Sequence, residues 1–242
     1  MKNILFVIVA FLSLSVNAQD MQKYLTDTRL LIKEGKNGEA LERCIWFHHH
    51  ALEKEKEMTG VRLSFALSDW KKLGEQYPPA LDSLKQIRDQ KTKRLLNGEK
   101  STSLFQDVSG INRTLDESDK TIELFKTIQA TQPKFAKLCW LFVKDKLFQA
   151  KSYDIINEYI GNPVREFSVI KERYELNIKM REKISVGKEH LKAYHENSFV
   201  EKSMELIEFA VAMNDSKTAK EIKKMALNVI DDYRLKNALT SK

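Results

Sequence analysis

The sequence predicts an all-α fold: about twelve helices stacked as helical hairpins into an α-α superhelix. Three observations predict it. Glycine and proline are scarce, 8 and 4 among 242 residues, which suits long helices joined by short turns far better than a sheet. Apolar residues recur three, four and seven apart, a spacing that stacks them on one helix face because a helix turns once every 3.6 residues. Bulky rings also return at a fixed interval, Phe105 lying 35 residues after Trp70 and Trp140 another 35 after Phe105.

The elements follow in order. Met21–Lys33 reads as a first helix with Tyr24, Leu25, Leu30, Leu31 and Ile32 on its apolar side, and Gly35, Asn37 and Gly38 turn the chain. A second helix is expected from Glu39 to Met58, stopped by Thr59-Gly60. The third, Val61–Tyr77, ends at Pro78-Pro79, because a proline disfavours helix in the residue before it. Pro79 then opens the fourth, which Asn97-Gly98 closes after Leu96. Thr102–Leu115, Asp119–Ala130, Lys134–Phe148 and Ser152–Ile160 come next, with a strong stop at Gly161-Asn162-Pro163. The tail is read as Val164–Ile184, a shorter Lys188–Tyr194, then Phe199–Met213 and Ser216–Leu239 around an Asn214-Asp215 turn.

Within Gly60–Asp89, the residues Trp70, Leu73, Gly74 and Tyr77 spell W-x2-L-G-x2-Y, which resembles the first-helix half of the tetratricopeptide (TPR) pattern. The glycine leaves a bare spot through which a neighbouring helix can approach. In the same frame the next units offer Phe105, Val108, Ser109 and Asn112, then Trp140, Val143, Lys144 and Leu147. The pattern departs from the family at Gln86 and Gln90, where a small and an aromatic residue belong, and the 46 residues from Tyr24 to Trp70 exceed one period. The resemblance therefore covers Tyr24–Pro163 and again the end of the chain, and an irregular helical bundle stays open beside it. It implies a fold and a binding groove, and it names no activity.

The first residues, MKNILFVIVAFLSLSVNAQD, combine Lys2, an apolar run Ile4–Leu14 and the small-residue site Val16-Asn17-Ala18 before Gln19, the layout of a secretory signal of bacterial style. Residues 1–18 are expected to be cleaved, leaving 19–242 as a single helical-repeat domain in the periplasm or outside the cell. The apolar run is too short to span a bilayer comfortably, and no later stretch is apolar enough, so no stable membrane span is expected after cleavage. The net charge of +7 becomes +6 without Lys2, and both signs are interspersed through a chain that is 31% charged. That is a solvated surface; no basic cluster with interleaved aromatics marks a nucleic-acid site, and none is expected.

Candidate chemistry is sparse. His48-His49-His50 and Cys44 share one predicted helix, the basis of an alternative reading as a helical metal-binding protein or enzyme. Adjacent helical residues point about 100° apart, however, so three successive histidines cannot face one ion. No strained nucleophile turn and no glycine-rich phosphate loop is present, and Glu53, Glu55 and Glu57 belong to a solvated Lys/Glu face. No enzyme, metal or cofactor is expected. Cys44 and Cys139, the only cysteines, sit amid apolar residues where a free thiol is as natural as a bridge. The TPR resemblance implies that first helices line an inner groove for a protein or peptide partner. Carried onto this chain, Lys71, Lys72 and Glu75 would line it, with Arg113 and Lys144 from the next units, a cationic surface for an acidic segment.

Overall fold

The computed structural model describes residues 21–181 and 188–239. The expected signal, residues 1–18, lies outside them, as does the expected helix end at Ile184. Among the described residues there is no strand, and thirteen α-helices are formed. They are α1 (Met21–Lys33), α2 (Asn37–Lys54), α3 (Thr59–Arg62), α4 (Phe65–Gln76), α5 (Pro78–Leu96), α6 (Thr102–Thr114) and α7 (Ser118–Thr131). After these come α8 (Pro133–Gln149), α9 (Tyr153–Tyr159), α10 (Pro163–Arg181), α11 (Lys188–Ala212), α12 (Ser216–Leu227) and α13 (Tyr233–Asn237). Among the described residues, no helix is long and apolar enough to cross a membrane.

The chain divides into two compact units. One takes the described residues up to Gln90 with Arg113–Asp116; the other takes Lys91–Asn112 and the described residues from Glu117 onward.

In the first unit α1 and α2 form a hairpin. Gly35, at φ +73°, closes α1 in the left-handed conformation, and the N–H of Lys36 reaches back to the Leu31 carbonyl at 3.0 Å. Met21, Tyr24, Leu25, Phe47 and Ala51 make the core of this hairpin, and both helices pack on α4. The inner face of α4 is Leu67, Trp70, Leu73 and Gly74, all buried. Trp70 anchors it: its indole N–H donates to the Ala80 carbonyl of α5 at 2.8 Å, and the His48 ring of α2 meets it edge-on at 6.1 Å. A Cβ on Gly74 would stand 3.0 Å from the Leu81 Cβ and 3.3 Å from the Leu81 nitrogen, so the bare spot is where α5 lies against α4.

The second unit holds the larger core. A run of rings threads it: Phe105 of α6 meets Phe125 of α7, Phe125 meets Tyr159 of α9, and Tyr159 stacks on Trp140 of α8 at 5.5 Å. Trp70, Phe105 and Trp140 thus each touch the helix that follows their own in the chain. Farther on, Tyr174 of α10 lies 4.9 Å from Phe199 of α11, and α12 packs on both α10 and α11. Lys91 and Asp107 form an ion pair buried in this unit.

Several boundaries differ from expectation. The second helix ends at Lys54 instead of Met58: Glu55 is extended at φ −140°, ψ 107°, and a single 3₁₀ turn, Lys56–Met58, follows. Thr59-Gly60 then starts a short helix where a stop was expected, and the chain breaks at Leu63 and Ser64 before α4 begins. That break lets Arg62 and Leu63 both turn inward, with an Arg62 N–H on the His48 carbonyl at 3.2 Å. Lys188–Tyr194 and Phe199–Met213 are one continuous helix, α11. Asn197 and Ser198 form helix poorly, yet the Asn197 amide bonds to Glu201 one turn on and the next residue, Phe199, is buried against Tyr174, so packing overrides propensity. The last expected helix stops at Leu227, and Asp232 opens α13 by accepting the Arg234 N–H at 2.8 Å.

Candidate functional site

Ser64, just before α4, and Ser68, Lys71, Lys72 and Glu75 on the face of α4 opposite Trp70 are spaced four, seven, eight and eleven residues from the first. These five line a shallow groove of about 590 Å³ in the first unit together with Arg113 and Thr114. Of the five residues the sequence nominates for a groove, Lys71, Lys72, Glu75 and Arg113 therefore stand together. One Arg113 N–H donates to the Leu63 carbonyl at 2.5 Å, which fixes the guanidinium beside the groove. Lys71 pairs with Asp116 at 2.5 Å, while Lys72 is exposed and makes no ion pair among the described residues. Three cations thus face one lining carboxylate, Glu75, and one visiting carboxylate, Asp116.

Lys144 is not among them. It lies on α8 in the second unit, ion-paired with Glu166 of α10, and lines another cleft of about 460 Å³. That cleft sets Lys144, Arg173 and Lys202 against Asp145, Glu166, Glu201 and Glu205, over a floor that includes Tyr174 and Phe199. Lys202 sits between Asp145 at 3.1 Å and Glu205 at 2.9 Å. Burial lifts the Glu205 carboxyl above its usual range against the pull of Lys202. Lys144 and Lys202 are paired with carboxylates of the cleft itself, and its lining sets four carboxylates against three cations, so it carries no excess of positive charge.

The repeat residues serve packing. Trp70, Leu73, Gly74, Phe105 and Trp140 are buried, and Tyr77, half-buried, is the residue at which α4 ends. In the histidine run, His48 is buried against Trp70, His49 is exposed, and His50 lies 3.1 Å from Glu53. Among the described residues, no three His, Cys, Asp or Glu side chains converge as a metal site would need. Cys44 and Cys139 are free and buried, and burial pushes both thiols up to about 12. Such thiols are protonated at neutral pH and are poor nucleophiles.

Asp116 was missed by sequence reasoning, which reads Asp116-Glu117-Ser118 only as a break between helices. Ser64 and Ser68 were legible, since their offsets from Lys71 and Lys72 put them on the same helix face. Asp116 was not, because its meeting with Lys71 joins positions 45 residues apart. No family model matches the chain, and no curated protein or solved structure matches it either.

Proposed function

We propose that the chain is an exported, non-enzymatic interaction module of TPR-like helical-repeat architecture, whose α4 groove receives an acidic segment of a protein or peptide partner. The observation that carries this reading is the gathering of Lys71, Lys72 and Arg113 around one groove that has a single lining carboxylate. Lysine and arginine donate charge-assisted hydrogen bonds to carboxylates, and a groove beside a rigid helix lets an extended segment meet them in sequence. The TPR-like reading is supported by the 35-residue return of Trp70, Phe105 and Trp140 and by the contact each makes, of a different kind, with the following helix. Residues 1–18 are proposed to direct export to the periplasm or beyond and to be removed before Gln19, leaving no stable membrane span. Nucleic acid is not proposed as a ligand.

The test is capture from an envelope extract by the purified protein, run beside Lys71→Glu/Lys72→Glu. Partners retained by the parent and lost by the double variant support the groove. Identical retention by both refutes it. Amino-terminal sequencing of the exported protein should begin at Gln19, and an intact Met1 would refute cleavage.

A further inference from the structure

Asp116 holds a position unlike that of the other groove residues. It is a non-glycine residue in the left-handed region, at φ +60°, in the turn that ends α6. Its backbone N–H closes that turn on the Arg113 carbonyl at 3.2 Å. This geometry sends its carboxylate to the Lys71 ammonium, 2.5 Å away, although the Asp116 side chain is 81% exposed. A carboxylate therefore already rests on the groove's cations, supplied by the chain itself. An exposed pair of this kind opens at little cost.

We propose that Asp116 is an internal competitor: its carboxylate occupies the Lys71 subsite and gives way to a carboxylate of an acidic peptide segment. This rests on the groove reading above and adds to it the chemistry of the ligand. The segment must carry at least two carboxylates close in sequence, one replacing Asp116 on Lys71 and one meeting Lys72 and Arg113. Arg113 is ready for the second, since it spends one of its five N–H donors on the Leu63 carbonyl and is thereby held in place. Lys72 has no ion pair to break among the described residues. Only Lys71 must exchange partners. Binding then swaps one exposed ion pair for another, so the internal carboxylate lowers by a common factor the affinity of every segment that must occupy Lys71.

The probe is a fluorescein-labelled hexaglutamate peptide, with hexaglutamine as its control, titrated by anisotropy against the purified protein. Asp116→Asn removes the charge and keeps a residue that tolerates the left-handed turn; Asp116→Gly does the same by another route. Both should bind hexaglutamate about two- to fivefold more tightly than the parent, the range an exposed ion pair supports. Asp27→Asn, which removes a carboxylate paired to Lys23 on α1, should bind as the parent does. Lys72→Glu should weaken binding about tenfold or more. If both Asp116 variants bind like the parent while Lys72→Glu still weakens binding, the competition is refuted and the groove stands. If Lys72→Glu has no effect, or hexaglutamine binds as well as hexaglutamate, the groove reading falls and the competition with it.

Discussion

At Trp70, one nitrogen carries much of the specificity of the first unit. The ring would be buried against α5 in several orientations, but the N–H on the Ala80 carbonyl selects one. Trp70→Phe keeps an aromatic ring but loses that bond and part of the buried volume, so urea unfolding should show a loss of about 1–3 kcal/mol. The thiols act in the opposite sense, through what they refuse to do. Held protonated to about 12 in the fold against an ordinary thiol value of 9.0, Cys44 and Cys139 ionise first in the unfolded chain. The folded state therefore binds more protons between those values, and stability falls as pH rises through that window while staying intact below it. Urea midpoints compared at about pH 8 and about pH 11 should drop, and Cys44→Ala/Cys139→Ala should flatten the drop. Both native thiols should resist a disulfide reagent at neutral pH and react once the chain is unfolded.

Among the elements, α4 and α5 are the pair most constrained by a single position. Gly74→Val would put branched carbon where Leu81 already stands at 3.0 Å from a bare Cβ, and the helices would have to part. Overpacking of this kind costs about 1–3 kcal/mol, so the variant should unfold at a lower urea concentration, with the change confined to stability. That close approach was readable from Gly74 three residues before Tyr77, because a bare helix position beside buried rings has few other uses. The hairpins were readable for the same reason: apolar spacing and proline at helix starts report local physics. What the chain order hid was tertiary. The continuity of α11 through Asn197 and Ser198 depends on the Phe199–Tyr174 contact, and the break at Leu63–Ser64 depends on Arg62 finding the His48 carbonyl. The groove was half legible. Helical offsets put Lys71, Lys72 and Glu75 on one face, but nothing in the spacing separates Lys144 from them or brings Asp116 to Lys71.

For the molecule as a whole, surface charge and core stability are separable. Lys71 is 37% exposed, Lys72 more so, and neither supports the packing of Trp70 on the other side of α4. Lys71→Glu/Lys72→Glu should therefore leave unfolding free energy within about 0.5 kcal/mol of the parent while abolishing capture of an acidic partner. A large stability loss would instead mean that these lysines hold the fold. The mixed surface also bears on polyanions: with both signs interspersed, retention on heparin should be weak and erased by modest salt.

α6 is hemmed in on nearly every side, with Leu104, Phe105, Asp107, Val108, Gly110, Ile111 and Asn112 all buried, whereas α10, six residues longer, buries only Phe167. A library of random variants selected for folding would consequently return α6 nearly unaltered and α10 rewritten. The freedom of this chain to drift is concentrated where its side chains face water, and α6 has far less of it than α10.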